Sequence, residues 1–235
     1  MHPLHKLSLT ALTTIALVGA ATSASAQTYD LQTAFEVAQP TPFNPIGDFT
    51  LGYYSTGFDA ATFVPFEFFS ENGYNTPMDV FSRATNSDPN VFYNDSGAVV
   101  NMYGFTQQPG QVSLGPFNFT AVVRFTAPAT ADYQINTAYY RIQGGGNTTA
   151  TADVRIVGTV PVLATNSLGS GLAGVSGFSY SGIHTIAQGN YVDFSLGNGS
   201  ATTSLQATLT VVPEPASALL LALGVGGLMA RRRRS

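Results

Sequence analysis

One histidine, His184, lies between Gln27 and Val212, in the run Gly182-Ile183-His184-Thr185-Ile186. A serine hydrolase needs such an imidazole beside a serine held on a strained turn. No G-x-S-x-G sequence occurs in the chain, and among apolar neighbours His184 reads as structural. Glu36, Glu67 and Glu71, with the aspartates, offer carboxylates of the kind that cleave glycosidic bonds in pairs. They are scattered along an acidic chain, and nothing in their spacing sets a pair. The chain has no cysteine, which excludes a disulfide framework, thiolate metal sites and a cysteine nucleophile. These residues predict a protein without a catalytic residue and without a bound cofactor.

Two groups of residues suit binding instead. Asn86, Asp88, Asn90, Asn94 and Asp95 put several hard oxygen ligands close together, the chemistry that Ca²⁺ prefers. Asp88 and Asp95 are the candidate metal ligands, although the D-x-[DN]-x-[DN]-G pattern is missing and Asn/Asp clusters also make ordinary turns. The aromatics are uneven, with 15 of the 27 Phe and Tyr between Phe43 and Phe105. Tyr53, Tyr54, Tyr74, Tyr93 and Tyr103 are candidates for an exposed platform on which sugar rings stack. The competing reading makes Phe63, Phe66, Phe68 and Phe69 core under an irregular β region.

Charge is scarce and unevenly placed. Charged residues make up 9% of the 235, against about a quarter in a typical soluble chain. Five of the nine basic residues are Lys6 and Arg231, Arg232, Arg233 and Arg234. The interior holds four arginines against twelve acids, a formal charge of −8. A body so charged repels phosphate backbones, so nucleic acid is excluded as a partner.

The two ends read as addresses. His2, His5 and Lys6 precede a mainly apolar run from Leu7 to Ala21, and Ala24-Ser25-Ala26 follows with small residues at the positions a signal peptidase reads. This predicts a signal peptide over residues 1–26, cut after Ala26. At the other end Pro213-Glu214-Pro215 is followed by fifteen uncharged residues, Ala216 to Ala230, and then the arginines. Fifteen helical residues span about 22 Å, against about 30 Å of hydrocarbon. Arginines that snorkel to the interface make up the difference, and the positive-inside rule puts them in the cytoplasm. The expectation is a membrane helix over about 216–230, with the body across the membrane.

Val212-Pro213-Glu214-Pro215, a short Leu/Ala/Gly helix and a terminal Arg cluster resemble the PEP-CTERM sorting signal. The resemblance covers residues 212–235. It implies an exported protein of a Gram-negative, exopolysaccharide-making bacterium and a partner exosortase that cuts at Pro213, Glu214 and Pro215. It gives an address and no activity for the body.

Between the ends, residues 27–211 alternate with period two. Tyr29, Leu31, Thr33, Phe35 and Val37 fall on one face. Phe119, Ala121, Val123 and Phe125 do so again, as do Val154 with Ile156, Val192, Phe194 with Leu196, and Leu205, Ala207, Leu209 with Val211. Such half-buried strands, punctuated by Gly, Asn and Pro, predict an all-β, antiparallel β-sandwich in one body with no amphipathic helix. From Asn118 to Val211 the pattern resembles a jelly-roll domain of the carbohydrate-binding-module kind. The expectation is a non-enzymatic surface or matrix protein linked to exopolysaccharide, with a glycan-binding module as the alternative.

Overall fold

The computed structural model describes residues 26–38, 44–84, 89–117, 119–143, 149–158, 162–169 and 177–213. The expected signal peptide except Ala26, the sorting residues Glu214 and Pro215, the 216–230 helix and Arg231–Arg234 lie outside them. Among the described residues, no helix is long and apolar enough to cross a membrane.

Gln27–Val211 is one compact unit. Its strands are β1 Thr28–Asp30, β2 Phe49–Tyr54, β3 Phe63–Pro65, β4 Phe68–Ser70, β5 Asp79–Ser82, β6 Asn90–Tyr93, β7 Val100–Met102 and β8 Phe105–Gln107. There follow β9 Val112–Gly115, β10 Thr120–Thr126, β11 Ala131–Arg141, β12 Ala150–Val157, β13 Val162–Leu168, β14 Gly177–Ile186, β15 Tyr191–Gly197 and β16 Thr203–Val211. The first sheet runs β14-β11-β16-β9-β6-β5-β4, with β1 beside the far end of β16; the second runs β13-β12-β15-β10-β2-β3. Strands β7 and β8 form a separate hairpin, and the pairings are antiparallel. The result is an antiparallel sandwich, as the alternation requires.

The main core joins the inward rows of both sheets. Ala121, Val123 and Phe125 of β10 and Val192, Phe194 and Leu196 of β15 meet Tyr133, Ile135 and Tyr139 of β11 and Leu205, Ala207 and Leu209 of β16. Each large apolar side chain fully removed from water contributes roughly 1.5–3 kcal/mol, so these rows dominate the stability of the body.

The first alternating run is not a strand throughout. After β1 the chain turns into helix α1, Leu31–Ala38. Asp30 caps it, its Oδ1 accepting from the Thr33 amide at 2.9 Å, and Gln32 donates to Glu36 one turn on at 2.9 Å. Leu31 and Phe35, four residues apart, are both buried. A run with apolar residues at i and i+4 satisfies either period, and the N-cap decides for the helix.

The second sheet is covered on its outer side as well. Alternation places Arg124, Asp193 and Arg155 toward solvent, but Arg124 is 9% exposed and Asp193 is fully buried. The segment 55–63 lies over them. Thr120 Oγ1 donates to the Gly57 carbonyl at 2.6 Å, Arg124 Nη2 to Ala60 O at 3.2 Å, and Arg155 to Phe58 O. Phe58 sits over Gly197, where an added Cβ would come within 3.0 Å of its ring, and Phe63 sits over Gly52 in the same way at 2.7 Å. The two glycines leave the hollows that the aromatic rings fill.

A second apolar cluster forms on the other side of β5 and β6. Phe81, Val91 and Tyr93 point into the main core, whereas Val80 and Phe92, their chain neighbours, pack with Met78, Val100, Met102, Phe105 and Ile142. The β7–β8 hairpin supplies three of these residues.

Candidate ligand site

The second cluster opens into a pocket of about 290 Å³ lined by Tyr74, Phe92, Met102, Tyr103, Phe105, Phe117 and Gln143. The Tyr74 and Tyr103 rings meet edge to face, 5.8 Å apart at 83°. Phe92 forms the floor, 6.1 Å from Tyr74 and 5.6 Å from Phe105. Asn90 Nδ2 donates to the Tyr74 hydroxyl at 3.0 Å. The Gln143 carboxamide accepts from the Thr202 amide at 2.9 Å, so both polar groups at the rim are held in place. Among the described residues no charged side chain lines the pocket.

Three of its aromatics have left-handed backbones: Tyr74 at φ 56°, Tyr103 at φ 44° and Phe117 at φ 38°. For a bulky side chain this region costs about 1–2 kcal/mol per residue, and such residues cluster at functional sites. The local causes are visible. Tyr103 and Gly104 are the two turn residues between Met102 and Phe105, and both have positive φ, as a tight type I′ hairpin demands. Asn or Gly is the usual choice there; this chain carries Tyr, 71% exposed at the mouth of the pocket. Phe117 lies in a turn closed by the Phe119 amide on Pro116 O at 2.9 Å.

Of the five tyrosines expected on a platform, the fold therefore brings together Tyr74 and Tyr103. Tyr54 and Tyr93 are corrections: both are buried, at 0% and 3% exposure. Tyr54 lies beneath the 55–63 segment and donates to Asp193 Oδ2 at 2.6 Å, and Tyr93 stacks on Phe35 at 4.7 Å. Burial foremost raises both hydroxyls, that of Tyr93 to about 12. Tyr53 is half-buried and stacked on Phe66 at 5.8 Å. Nothing in their local sequence singles out Phe92, Met102, Phe105, Phe117 and Gln143. The available signal was Tyr103-Gly104 between two short apolar runs, a hairpin turn carrying an expensive residue.

The other candidates disperse. Asp88 lies outside the described residues, and Asp95 is exposed. Asn94 is buried and engaged in its own turn: its Nδ2 donates to Ala98 O and Gln107 O, and its Oδ1 accepts from Ser96. Among the described residues no three of His, Cys, Asp and Glu come together as metal ligands. Glu36, Glu67 and Glu71 are all exposed. His184 Nε2 meets the Tyr180 hydroxyl at 2.5 Å on β14.

Residues 211–234 match the PEP-CTERM protein-sorting motif. The chain thus carries the C-terminal sorting tag of an exported protein. No curated protein matches it. Among solved structures, a family 35 carbohydrate-binding module from Clostridium thermocellum is 13% identical, covering 52% of this chain and 98% of that one, with a TM-score of 0.30. A second module of this family, solved with a glucuronic acid-containing disaccharide, is 18% identical over 48% of this chain and 81% of that one, with a TM-score of 0.31. The Podospora anserina β-(1,4)-mannanase that carries such a module is 17% identical over 54% of this chain, with a TM-score of 0.31; the match spans 28% of the enzyme.

Proposed function

We propose that the chain is an exported surface or matrix protein that works by contact with glycan, through the pocket between Tyr74 and Tyr103. Signal peptidase removes residues 1–26, the 212–235 segment holds the body at the membrane, and an exosortase cuts at Pro213-Glu214-Pro215. Proline has no N–H and a fixed φ, so prolines on both sides of Glu214 favour the extended backbone that a protease binds.

The observation that carries the glycan reading is the convergence of three strained aromatics on one uncharged hollow. A sugar ring offers an apolar C–H face to an aromatic surface and hydroxyls to fixed polar groups, which here are the Tyr74 hydroxyl and the Gln143 carboxamide. A volume near the lower end of the usual range for small-molecule sites, about 300–1,000 Å³, suits one or two sugar units at a chain end or branch. No arrangement of His184 or of the carboxylates argues for a reaction, and the proposed role is non-enzymatic.

Two measurements test this. A glycan array probed with the exported protein should show retention by neutral sugars that Tyr103→Ala abolishes; equal retention by both proteins overturns the site. Mass spectrometry in wild-type and exosortase-deficient cells should find Ala216–Ser235 removed only in the former. The same tail in both overturns the processing step and leaves the pocket untouched.

A further inference from the structure

The end strands of the two main sheets are not protected alike. Strands β3 and β4, which end the two sheets on one side, have three residues each, and β3 carries Pro65. Strand β13 is kinked: its register against β12 slips between Val154 and Arg155, so that Leu163 bulges out. Strand β14 has none of these devices. Its ten residues pair with β11 without a break, from Ala131 opposite Ile186 to Tyr140 opposite Gly177. It contains no Lys, Arg, Asp, Glu or Pro. Among the described residues nothing pairs with its other edge, and exposed and half-exposed residues alternate along it, with Ile183 55% exposed. A long, straight, uncharged edge is the feature that sheet proteins ordinarily avoid, because its free N–H and C=O groups template another strand.

We propose that β14 is the pairing edge for a second copy of this chain, joined antiparallel about a two-fold axis through Gly182. Three observations select a copy of itself over another occupant. The strand is self-complementary in that register: Phe178 faces Ile186, Tyr180 faces His184, Ser179 faces Thr185 and Ser181 faces Ile183. Every pair keeps to one face of the sheet, as antiparallel pairing demands. The edge is neutral, so two bodies that each carry −8 meet along a strip where like charges are not opposed. Phe178 and Tyr180, half-exposed although they pack on the main core, gain cover from the second copy. The two-fold closes the contact, giving a dimer with one continuous sheet rather than a filament. This inference is independent of the glycan pocket, which lies under the β7–β8 hairpin.

The chain has no cysteine, so introduced thiols report cleanly. Full-length chains in non-ionic detergent, one carrying Ser181→Cys and the other Ile183→Cys, are mixed and mildly oxidised; Thr106→Cys on exposed β8 serves as the control. The expected result is a covalent dimer from the Ser181→Cys and Ile183→Cys mixture and none from mixtures with Thr106→Cys. Sedimentation of the cysteine-free chain should show a dimer that the Ser181→Lys/Ile183→Lys variant weakens by more than about tenfold, with the strand signal in far-UV circular dichroism retained. A monomer throughout, no selective cross-link, or a dimer indifferent to the two lysines overturns the proposal; the last outcome assigns association to the tail or another surface.

Discussion

Arg124 donates to both oxygens of the Asp193 carboxylate, Nε to Oδ1 and Nη2 to Oδ2, each at 2.7 Å. The pair sits on the side of the second sheet that faces away from the main core, where β10 and β15 place the two residues directly opposite each other. Phe63 lies 3.9 Å and Tyr191 4.6 Å from the guanidinium carbon. The Tyr54 hydroxyl takes the remaining lone pair of Oδ2. An ion pair so enclosed ties the 55–63 segment to the sheet beneath it.

Removing one member of this pair strands the other. Asp193→Ala leaves the Arg124 charge buried and is expected to cost about 3–5 kcal/mol. Tyr54→Phe removes one hydrogen bond to a charged group and should cost about 1.5–3 kcal/mol. Urea unfolding measures both. The double variant Arg124→Met/Asp193→Leu should lose less than Asp193→Ala alone, because no charge is left without a partner.

Asp153 bears on the acid side. Burial, partly offset by its ion pair with Arg155, raises its carboxyl above the ordinary value, and its Oδ1 has no hydrogen-bond partner among the described residues. An acid raised on folding holds its proton more tightly in the native state. The stability it adds is complete below its unfolded value of about 3.9 and is lost as pH rises through its native value. Wild type should therefore lose stability relative to Asp153→Asn as pH rises from about 4, read from urea midpoints at each pH.

On the alkaline side Tyr93 sets a window. Its hydroxyl is pushed to about 12, chiefly by burial and next by Glu36. The native state resists ionisation, so stability is intact below the unfolded tyrosine value of about 10 and falls as pH rises from there to about 12. Tyr93→Phe should flatten this fall in chemical unfolding measured across the same range.

At Tyr103 stability and binding should separate. Tyr103→Gly gives up an edge contact worth about 0.5–1.5 kcal/mol and relieves a left-handed backbone costing about 1–2 kcal/mol. The melt should move little or rise slightly. Sugar retention should fall more than tenfold, since the exposed ring at the pocket mouth is gone. Isothermal calorimetry with a sugar identified on the array, beside a thermal melt, checks both.

What the chain determines by itself is local. The sorting motif at 211–234 is a contiguous string, legible because no folding is needed to bring its residues together. The inward rows of β10, β12, β15 and β16 follow from alternation, because side chains in a strand must take opposite faces. Alternation says only which residues share a face and nothing of what later covers it. Tyr54, Arg124 and Asp193 are buried because the 55–63 segment, next to Tyr54 in the sequence but remote from Arg124 and Asp193, folds over Gly52 and Gly197. Leu31 and Phe35 share a face at either period, and the Asp30 cap selected the helix. The pocket was the least legible. Tyr74, Tyr103, Phe117 and Gln143 come from four separate connections, and only the stacking of the β7–β8 hairpin on β5 and β6 brings them to one place. The free edge of β14 is likewise a property of the assembled sheet, since a strand has an edge only once its neighbours are known.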